Sequence, residues 1–552
     1  MDRRTLLFIS ISVLIIVLYQ ELVLKRLPQP EPPPPAPVET AMPAASAAPA
    51  AAADTRTDTL EQALAEPVAE AEKLEGRDVT VETDLYTAVF TTLGGRLKSF
   101  QLKKFRSGPE AGSPPLELVS EAPERELPMG IELRGAYAWS DARVLYEPNV
   151  ESLTLSGSDE ATLELRAQVA GQPMVKRLTF RAGQYPIDLA IETPSLSVLP
   201  KQLSEPSPDG QPPAIALVWS KKMVEQENAS YVFEGPAAVI NGKLVQTSAD
   251  DLEKQEILTG TVSWAGFEDH YFLSAAAPNR ATAVVLRPRL PVIDLKILTP
   301  REGDATTVAY TLFIGPKDVD RLEAAGHDLA KAMNLGWFGP ISLFLLSILN
   351  FSHRFTGNYG FDIIILTVLV KLAFWPLTQK SFQSMREMQK LQPEMQKLRE
   401  KYKNDPKQMN TEIMELYKRH KVNPLGGCLP MLIQIPVFFG LYQLLANTIE
   451  LRHAPFVLWI HDLSAPERLH VMGYGIPVLT LLLGASMFAQ QKMAPPQGDP
   501  TQQKIMMFMP VIFTFMFIGF PAGLTLYWLT NNVLTIAQQY FVMRSVPKPA
   551  AA

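Results

Sequence analysis

The sequence predicts an α-helical polytopic membrane protein of six spans. It also predicts an all-β sandwich domain outside the membrane and a helical hairpin on the cytoplasmic side. Three observations carry this expectation. The first half is polar after one apolar start, whereas the second half is dense with long apolar runs. Between residues 77 and 318 the apolar residues recur at period two, the spacing of strands. A basic loop between two of the spans fixes which side faces the cytoplasm.

The chain has 552 residues, too many for a single core, so two or more domains are expected. Its formal net charge of −6 argues against a nucleic-acid partner by bulk charge. The single cysteine, Cys428, excludes an intramolecular disulfide framework, so any domain outside the cytoplasm is held by its core.

Residues 1–27 read as an uncleaved anchor. Arg3 and Arg4 precede an apolar stretch over 5–24, long enough for a bilayer core of ~30 Å. Gln20, Glu21, Lys25 and Arg26 follow instead of a small-residue cleavage site. Residues 28–76 are rich in Pro and Ala with scattered acids, a composition that buries no core and reads as an extended tether. In 77–318, Leu163, Leu165, Ala167 and Val169 alternate with polar residues, as do Ile187, Leu189 and Ile191, and Leu295 and Ile297. Gly94-Gly95, Pro208-Asp209-Gly210 and Asn241-Gly242 supply turns between the runs. This pattern predicts the sandwich, and no catalytic motif lies in it.

Residues 319–356 read as a short helix followed by an apolar stretch over 337–351, short for a span. Phe338, Ile341, Leu345 and Ile348 share one face, so a helix lying on the outer membrane surface is expected. Five longer apolar runs follow within 357–544: 359–377, 425–446, 474–489, 505–520 and 523–541. The loop after the first of them carries eleven Lys and Arg residues between Lys380 and Lys421 against six acids. The loop 447–473 has only Arg452 and Arg468 as cations. The positive-inside rule places the basic loop in the cytoplasm, and counting spans back puts both termini inside and the β domain outside.

The basic loop, 379–423, reads as a helical hairpin. Phe382, Met385, Met388, Leu391, Met395, Leu398 and Tyr402 recur at three or four. Asp405 is a good N-cap and Pro406 a good first residue for the second helix, whose stripe is Met409, Ile413, Leu416 and His420. Residues 545–552 form a short tail.

Lys371 is the feature most suggestive of function. It sits inside an otherwise apolar span, about 10 Å from the cytoplasmic end at ~1.5 Å per residue. An intramembrane lysine costs roughly 2.5–3.5 kcal/mol on insertion scales, which points to a water-filled cavity or a buried pair. The bland alternative is a lysine that snorkels to the interface. Thr367 lies four residues earlier on the same face. The last run carries a polar stripe, Thr525, Trp528, Asn532, Thr535 and Gln539, at spacings of three and four. Gln434, Ser486 and Gln490 add polar groups on other spans. Ordinary interhelical hydrogen bonds, worth under about 1 kcal/mol each, account for Gln434 or Ser486 taken alone. The stripe together with Lys371 predicts a wetted cavity open to the cytoplasm.

Several chemistries are not encoded. There is no phosphate-binding Gly-x-x-x-x-Gly-Lys-Ser/Thr loop, no His-Glu-x-x-His and no Gly-x-Ser-x-Gly. The seven histidines are scattered, and none pairs with Cys428 at metal-ligand spacing. No catalytic residue, metal or cofactor is therefore expected, and the chain is not expected to be an enzyme. A transporter or channel using Lys371 as an anion site needs a polar path through the outer half, where polar residues are sparse. An intramembrane hydrolase needs a nucleophile–base pair that is missing.

Leu391-Gln392-Pro393, the run from Val422 through Asn423-Pro424-Leu425-Gly426-Gly427 to Cys428, and Leu458-Trp459-Ile460-His461-Asp462-Leu463 resemble the YidC insertases. So do Gln503-Lys504-Ile505-Met506 and Phe508-Met509-Pro510. The anchor, tether and outer β domain resemble the Gram-negative form, with a large periplasmic domain and a conserved five-helix core. The resemblance implies an insertase and chaperone of the bacterial inner membrane, with a hydrophilic groove open to the cytoplasm and closed toward the periplasm. In the family a positive residue in the second span attracts the polar or acidic tail of a substrate, whose apolar part leaves along the third and fifth spans. Lys371 stands at that position, where the family usually has arginine, which keeps the charge but loses the planar fork. Thr367 matches a groove threonine, and Trp528 an aromatic position that is tyrosine in some relatives. With Gln434, Asn532 and Thr535 these make the expected groove. The implied partners are nascent membrane proteins, the lipid bilayer, the Sec translocon (SecYEG, SecDF) and, weakly or transiently, the ribosome. The tail from Arg544 to the end carries only Arg544 and Lys548 as cations.

Overall fold

The computed structural model describes residues 75–544, apart from 111, 121–125, 135–136, 196–204, 207–213, 224–232, 250, 253, 302–305, 404, 421, 423–428 and 494–499. The anchor, most of the tether, the Pro208-Asp209-Gly210 turn and the short tail lie outside the described residues.

Strands from Asp78–Glu82 to Thr306–Pro316 build sheets of five, nine and seven strands. Pairing is antiparallel except where Asp78–Glu82 runs parallel to Ser152–Thr154. The period-two pattern sets which face is buried. In Pro186–Thr193 the residues Ile187, Leu189 and Ile191 are buried and Asp188, Ala190 and Glu192 alternate with them. Leu163, Leu165, Ala167, Val169, Leu295 and Ile297 point into the same core, to which the five-stranded sheet adds Phe90 and Phe100, the nine-stranded sheet Phe180, Trp264 and Phe313, and the seven-stranded sheet Ile131 and Trp219. Each such side chain contributes about 1.5–3 kcal/mol of transfer free energy. Asn241-Gly242 closes a two-residue hairpin with φ of 51° and 76°, the left-handed pair that a type I′ turn requires. Ala170-Gly171 closes another in the same way, without a turn-forming residue at its first position to signal it.

A buried ion pair lies at the centre of this domain. Lys176 is wholly buried, with Nζ 2.7 Å from Asp141 Oδ2 and donating to the carbonyls of Gly94 (2.7 Å) and Met129 (2.8 Å). Asp141 also accepts from the Ile131 amide at 2.9 Å and the Tyr146 hydroxyl at 3.1 Å.

Helices follow the last strand: α1 (Val319–Ala325), α2 (Gly339–Thr356), α3 (Tyr359–Lys390), α4 (Gln392–Lys401), α5 (Pro406–Arg419), α6 (Leu429–Asn447), α7 (Val478–Met493), α8 (Pro500–Phe517) and α9 (Ala522–Arg544). Among the described residues one of them, α3, is both long and apolar enough to cross a bilayer, and Met506–Phe517 is a shorter apolar stretch. α2 begins where expected but continues to Thr356, stopped by Gly357 at φ 62°. Its buried face is Ser342, Leu345, Leu346, Leu349 and Ser352, one step round from the expected stripe, because α2 packs against both α6 and α3. α2 and α6 approach closely at Gly440, whose carbonyl accepts from Ser342 Oγ at 2.7 Å. Leu343, Phe344, Phe351 and Phe355 are left exposed.

Two boundaries differ from the sequence expectation. α3 runs unbroken to Lys390, so Phe382, Met385 and Met388 extend this helix and do not begin the hairpin. It passes Pro376, whose missing amide leaves the Leu372 carbonyl without its helical donor, and the Thr378 hydroxyl one turn on lies 3.1 and 3.0 Å from the carbonyls of Phe374 and Trp375. The third apolar run, 474–489, does not begin as helix. Tyr474–Ile476 pairs with Leu469–Val471 in a small hairpin, and α7 starts only after Pro477.

The segment around α4 and α5 forms a compact unit of its own. Asp405 caps α5, its carboxylate accepting from the amides of Lys407 and Gln408, with Pro406 in the first turn. Leu391, Ile413, Leu416 and Tyr417 form its buried seam, and the Tyr417 hydroxyl lies 3.2 Å from Met395 Sδ.

The β domain meets the helical core beside the end of α6. His270 Nε2 lies 2.6 Å from the carbonyl of Ala446, in the last turn of α6, and the Arg452 guanidinium sits 5.3 Å from the Phe272 ring. A helix leaves its last carbonyls unpaired, so the β domain supplies a donor that the helix lacks.

Candidate functional site

The helical core buries polarity and exposes apolar surface. On α3, Phe361, Ile365, Leu369, Leu372 and Trp375 face outward at helical spacing, whereas Thr367, Lys371, Thr378 and Ser381 are buried. On α8, Phe508, Ile512 and Phe515 are more than half exposed. Such a surface suits hydrocarbon and not water.

The buried polar residues meet where α3 and α9 pack. Lys371 is 7% exposed, and its Nζ donates to Thr535 Oγ1 at 2.6 Å. The Thr535 hydroxyl spends its own hydrogen on the Asn531 carbonyl, also at 2.6 Å. Among the described residues no carboxylate pairs with Lys371. Gln434 Nε2 reaches Asn531 Oδ1 from α6 at 3.4 Å, and Asn532 Nδ2 reaches Ser486 Oγ on α7 at 3.3 Å. Four helices thus converge on one polar layer around a single positive charge.

Two expected residues lie apart from that layer. The Thr367 hydroxyl is buried and donates back to the Ile363 carbonyl of its own helix at 2.6 Å. Trp528, about 10 Å along α9 from Thr535, stands in an aromatic cluster. It is edge-on to Phe438 (4.7 Å) and Phe517 (4.8 Å). That cluster roofs the polar layer on the side of the α8–α9 turn, where Leu524, Leu526 and Phe517 are buried.

Sequence reasoning missed a second polar pair. Gln538 Nε2 donates to Thr378 Oγ1 at 2.8 Å, both side chains being buried. Thr378 falls seven residues after Lys371 and Gln538 three after Thr535, so helical periodicity held the signal. Gln539 Nε2 donates to the Met493 carbonyl at the end of α7. No group of residues suited to holding a metal occurs among the described residues.

Comparison with known proteins agrees with this architecture. The family model of the YidC periplasmic domain matches residues 78–348, and that of the 60Kd inner membrane protein matches 351–549. A membrane protein insertase YidC of Syntrophus aciditrophicus is 40% identical over 98% of this chain and 99% of its own. One of Nitratidesulfovibrio vulgaris is 42% identical over 85% of this chain and 86% of its own. A solved active YidC insertase, with its first transmembrane domain resolved, covers 86% of this chain and 96% of its own. Its 17% identity and TM-score of 0.35 make it too loose a superposition to add weight. With a periplasmic β-sandwich ahead of a helical core, this chain belongs to the YidC family of inner-membrane protein insertases.

Proposed function

We propose that the polar layer around Lys371 is the substrate groove of this insertase. Lys371, Gln434, Asn532 and Thr535 line it, Thr367 and Trp528 stand beside it toward its outer end, and it opens to the cytoplasm. The observation that carries the reading is a buried lysine whose contact is one hydroxyl, Thr535, and no carboxylate. A charge held so sparsely is available to an incoming acidic or polar tail, and desolvation by the surrounding apolar helices strengthens that attraction. The aromatic roof around Trp528 closes the outer half, so a tail is attracted to half depth and is not given a continuous pore.

In this reading the helices α3, α6, α7, α8 and α9 span the membrane with the N-terminal anchor as a sixth. The basic hairpin and both termini are cytoplasmic. α7 and α8 are short (16 and 18 residues), which favours a locally thinned bilayer. The protein works without nucleotide, metal or catalysis. Apolar burial of the substrate and the membrane potential on its charges drive insertion. It acts alone or beside the Sec translocon (SecYEG, SecDF), with weak or transient ribosome contact.

The test is insertion by the purified protein in liposomes, without translocon or ATP, scored by protease protection of a short single-span substrate with an acidic outer tail. Native protein is expected to insert it, Lys371→Ala to insert it slowly and Lys371→Glu to fail. Equal insertion by all three would return Lys371 to the role of a snorkelling residue.

A further inference from the structure

The small hairpin ahead of α7 is built as an amphipathic ribbon. Leu469 pairs with Ile476 and Val471 with Tyr474, while His470 pairs with Gly475. Cross-strand partners point to the same face, and alternate residues share it. One face is therefore Leu469, Val471, Tyr474 and Ile476, all apolar or aromatic. The other is His470 and Gly475. Tyr474 is 78% exposed, and Val471 and Ile476 are more than a third exposed, so the described chain leaves much of the apolar face uncovered, most of all toward the turn.

The turn adds a second, independent oddity. It is a two-residue loop with positive φ at both positions, Met472 (50°) and Gly473 (83°). Turns of this kind favour asparagine, aspartate or glycine at the first position. Here a methionine occupies it, 95% exposed. An isolated two-stranded hairpin is marginal in water, and an exposed apolar face and tip do not stabilise it there.

The hairpin is held at the rim of the helical core. Arg468 Nη2 donates to the carbonyl of Ile518, just past the end of α8, at 2.9 Å. Its aliphatic stem lies over Gly475, on the polar face. The Glu467 carboxylate accepts from the Leu479 amide at the start of α7. The segment from Arg468 to Pro477 holds no acid. Its apolar face runs through Pro477 directly into α7, where Leu481 and Leu482 are half exposed. It stands at the end of the bundle that the β domain touches, because Leu463 and Ala465, a few residues upstream, bond the first amides of α9.

We propose that this hairpin lies on the outer leaflet of the inner membrane, with Val471, Met472, Tyr474 and Ile476 inserted among the phospholipid acyl chains and Arg468 and His470 at headgroup level. The proposal rests on the membrane placement of α7 given above. Continuity of the apolar face with that of α7, and a cationic, acid-free edge, both suit a lipid surface.

The test uses the full chain with Cys428→Ser in liposomes, carrying a single cysteine labelled with an environment-sensitive NBD dye. Met472→Cys probes the tip, Leu482→Cys is the lipid-exposed reference on α7, and Ser158→Cys is the aqueous reference on the β domain. The tip label is expected to match Leu482→Cys: blue-shifted emission, several-fold quenching by nitroxide-bearing phosphatidylcholine and little by iodide. Quenching of the tip by iodide alone, with Leu482→Cys still quenched by lipid, overturns the proposal and leaves the span intact. A tip shielded from both quenchers also overturns it, in favour of a second protein copy on the hairpin. Failure of lipid quenching at Leu482→Cys as well would locate the error in the membrane placement of α7.

Discussion

Lys176 in the β domain and Lys371 in the helical core are both buried, and in opposite ways. Lys176 is saturated: a carboxylate and backbone carbonyls surround its ammonium, and the strands of three sheets are tied together through it. Burial alone pulls its proton affinity down, and the Asp141 carboxylate opposes that pull. Among the described residues Lys371 has one hydroxyl partner and no carboxylate. The difference teaches how to read a buried charge. A fully partnered one fixes a fold. A sparsely partnered one among polar side chains from several helices is left available for a ligand.

The comparison can be broken at either lysine. The largest expected effect is at Lys176. Replacing it with methionine leaves Asp141 the more distant Arg96 guanidinium, at 3.7 Å, as its remaining counter-charge and is expected to destabilise the β domain by about 3–5 kcal/mol, read as a lowered unfolding midpoint of the purified protein. A midpoint near that of the native protein would mean that Asp141 is satisfied without the lysine. At Lys371 the expectation is inverted. Lys371→Glu is expected to leave the unfolding midpoint nearly in place while slowing insertion of an acidic-tailed substrate tenfold or more, on the order of 2 kcal/mol. Unfolding of the core with no selective effect on insertion would assign Lys371 to structure.

The joint between the two regions gives a smaller, pH-dependent effect. Burial holds His270 below its usual proton affinity, so the neutral ring donates to the Ala446 carbonyl. The unfolded chain binds more protons here than the folded one. The stability from burying the neutral ring is therefore present above about pH 6.5 and lost as pH falls from there through the depressed folded value, the Ala446 bond opposing that loss. His270→Gln is expected to cost about 1 kcal/mol at pH 7.5 and to flatten the loss on acidification to pH 5, measured by thermal unfolding. An unchanged acid dependence would assign it to other groups. The smallest effect is expected at Gln538→Leu, which removes the bond to Thr378. It should cost under about 1 kcal/mol of core stability in a denaturant titration and leave the acidic-tail preference unchanged. A lost preference would enlarge the groove to include this pair.

The two regions also differed in how legible they were. Period two marked strands with one dry face, such as Pro186–Thr193, and Asn241-Gly242 marked its hairpin outright, whereas Gly235–Ile240 and Phe272–Pro278 are buried on both faces and show no alternation. Lys176 was unreadable, since its partners come from Gly94, Met129 and Asp141, far away in sequence and not marked by any local pattern. In the core, Lys371 stood out against an apolar run, and the stripe on α9 pointed at Thr535 and Asn532. Trp528 shares the stripe but not the polar layer, because helical spacing fixes direction and says nothing of what lies at each depth. Only the second strand of the small hairpin, Tyr474–Ile476, falls in the apolar run 474–489, since hydropathy counts Tyr474 and Ile476 as apolar without seeing the turn that precedes them.

The most direct test of the groove is a charge cycle between substrate and insertase. A single-span substrate would carry either an acidic or a basic tail, and each would be offered in liposomes to the native protein and to Lys371→Glu. The account predicts that native protein prefers the acidic tail and that Lys371→Glu reverses the preference, a coupling that neither change produces alone. Tails of both signs inserted at rates independent of residue 371 would contradict it.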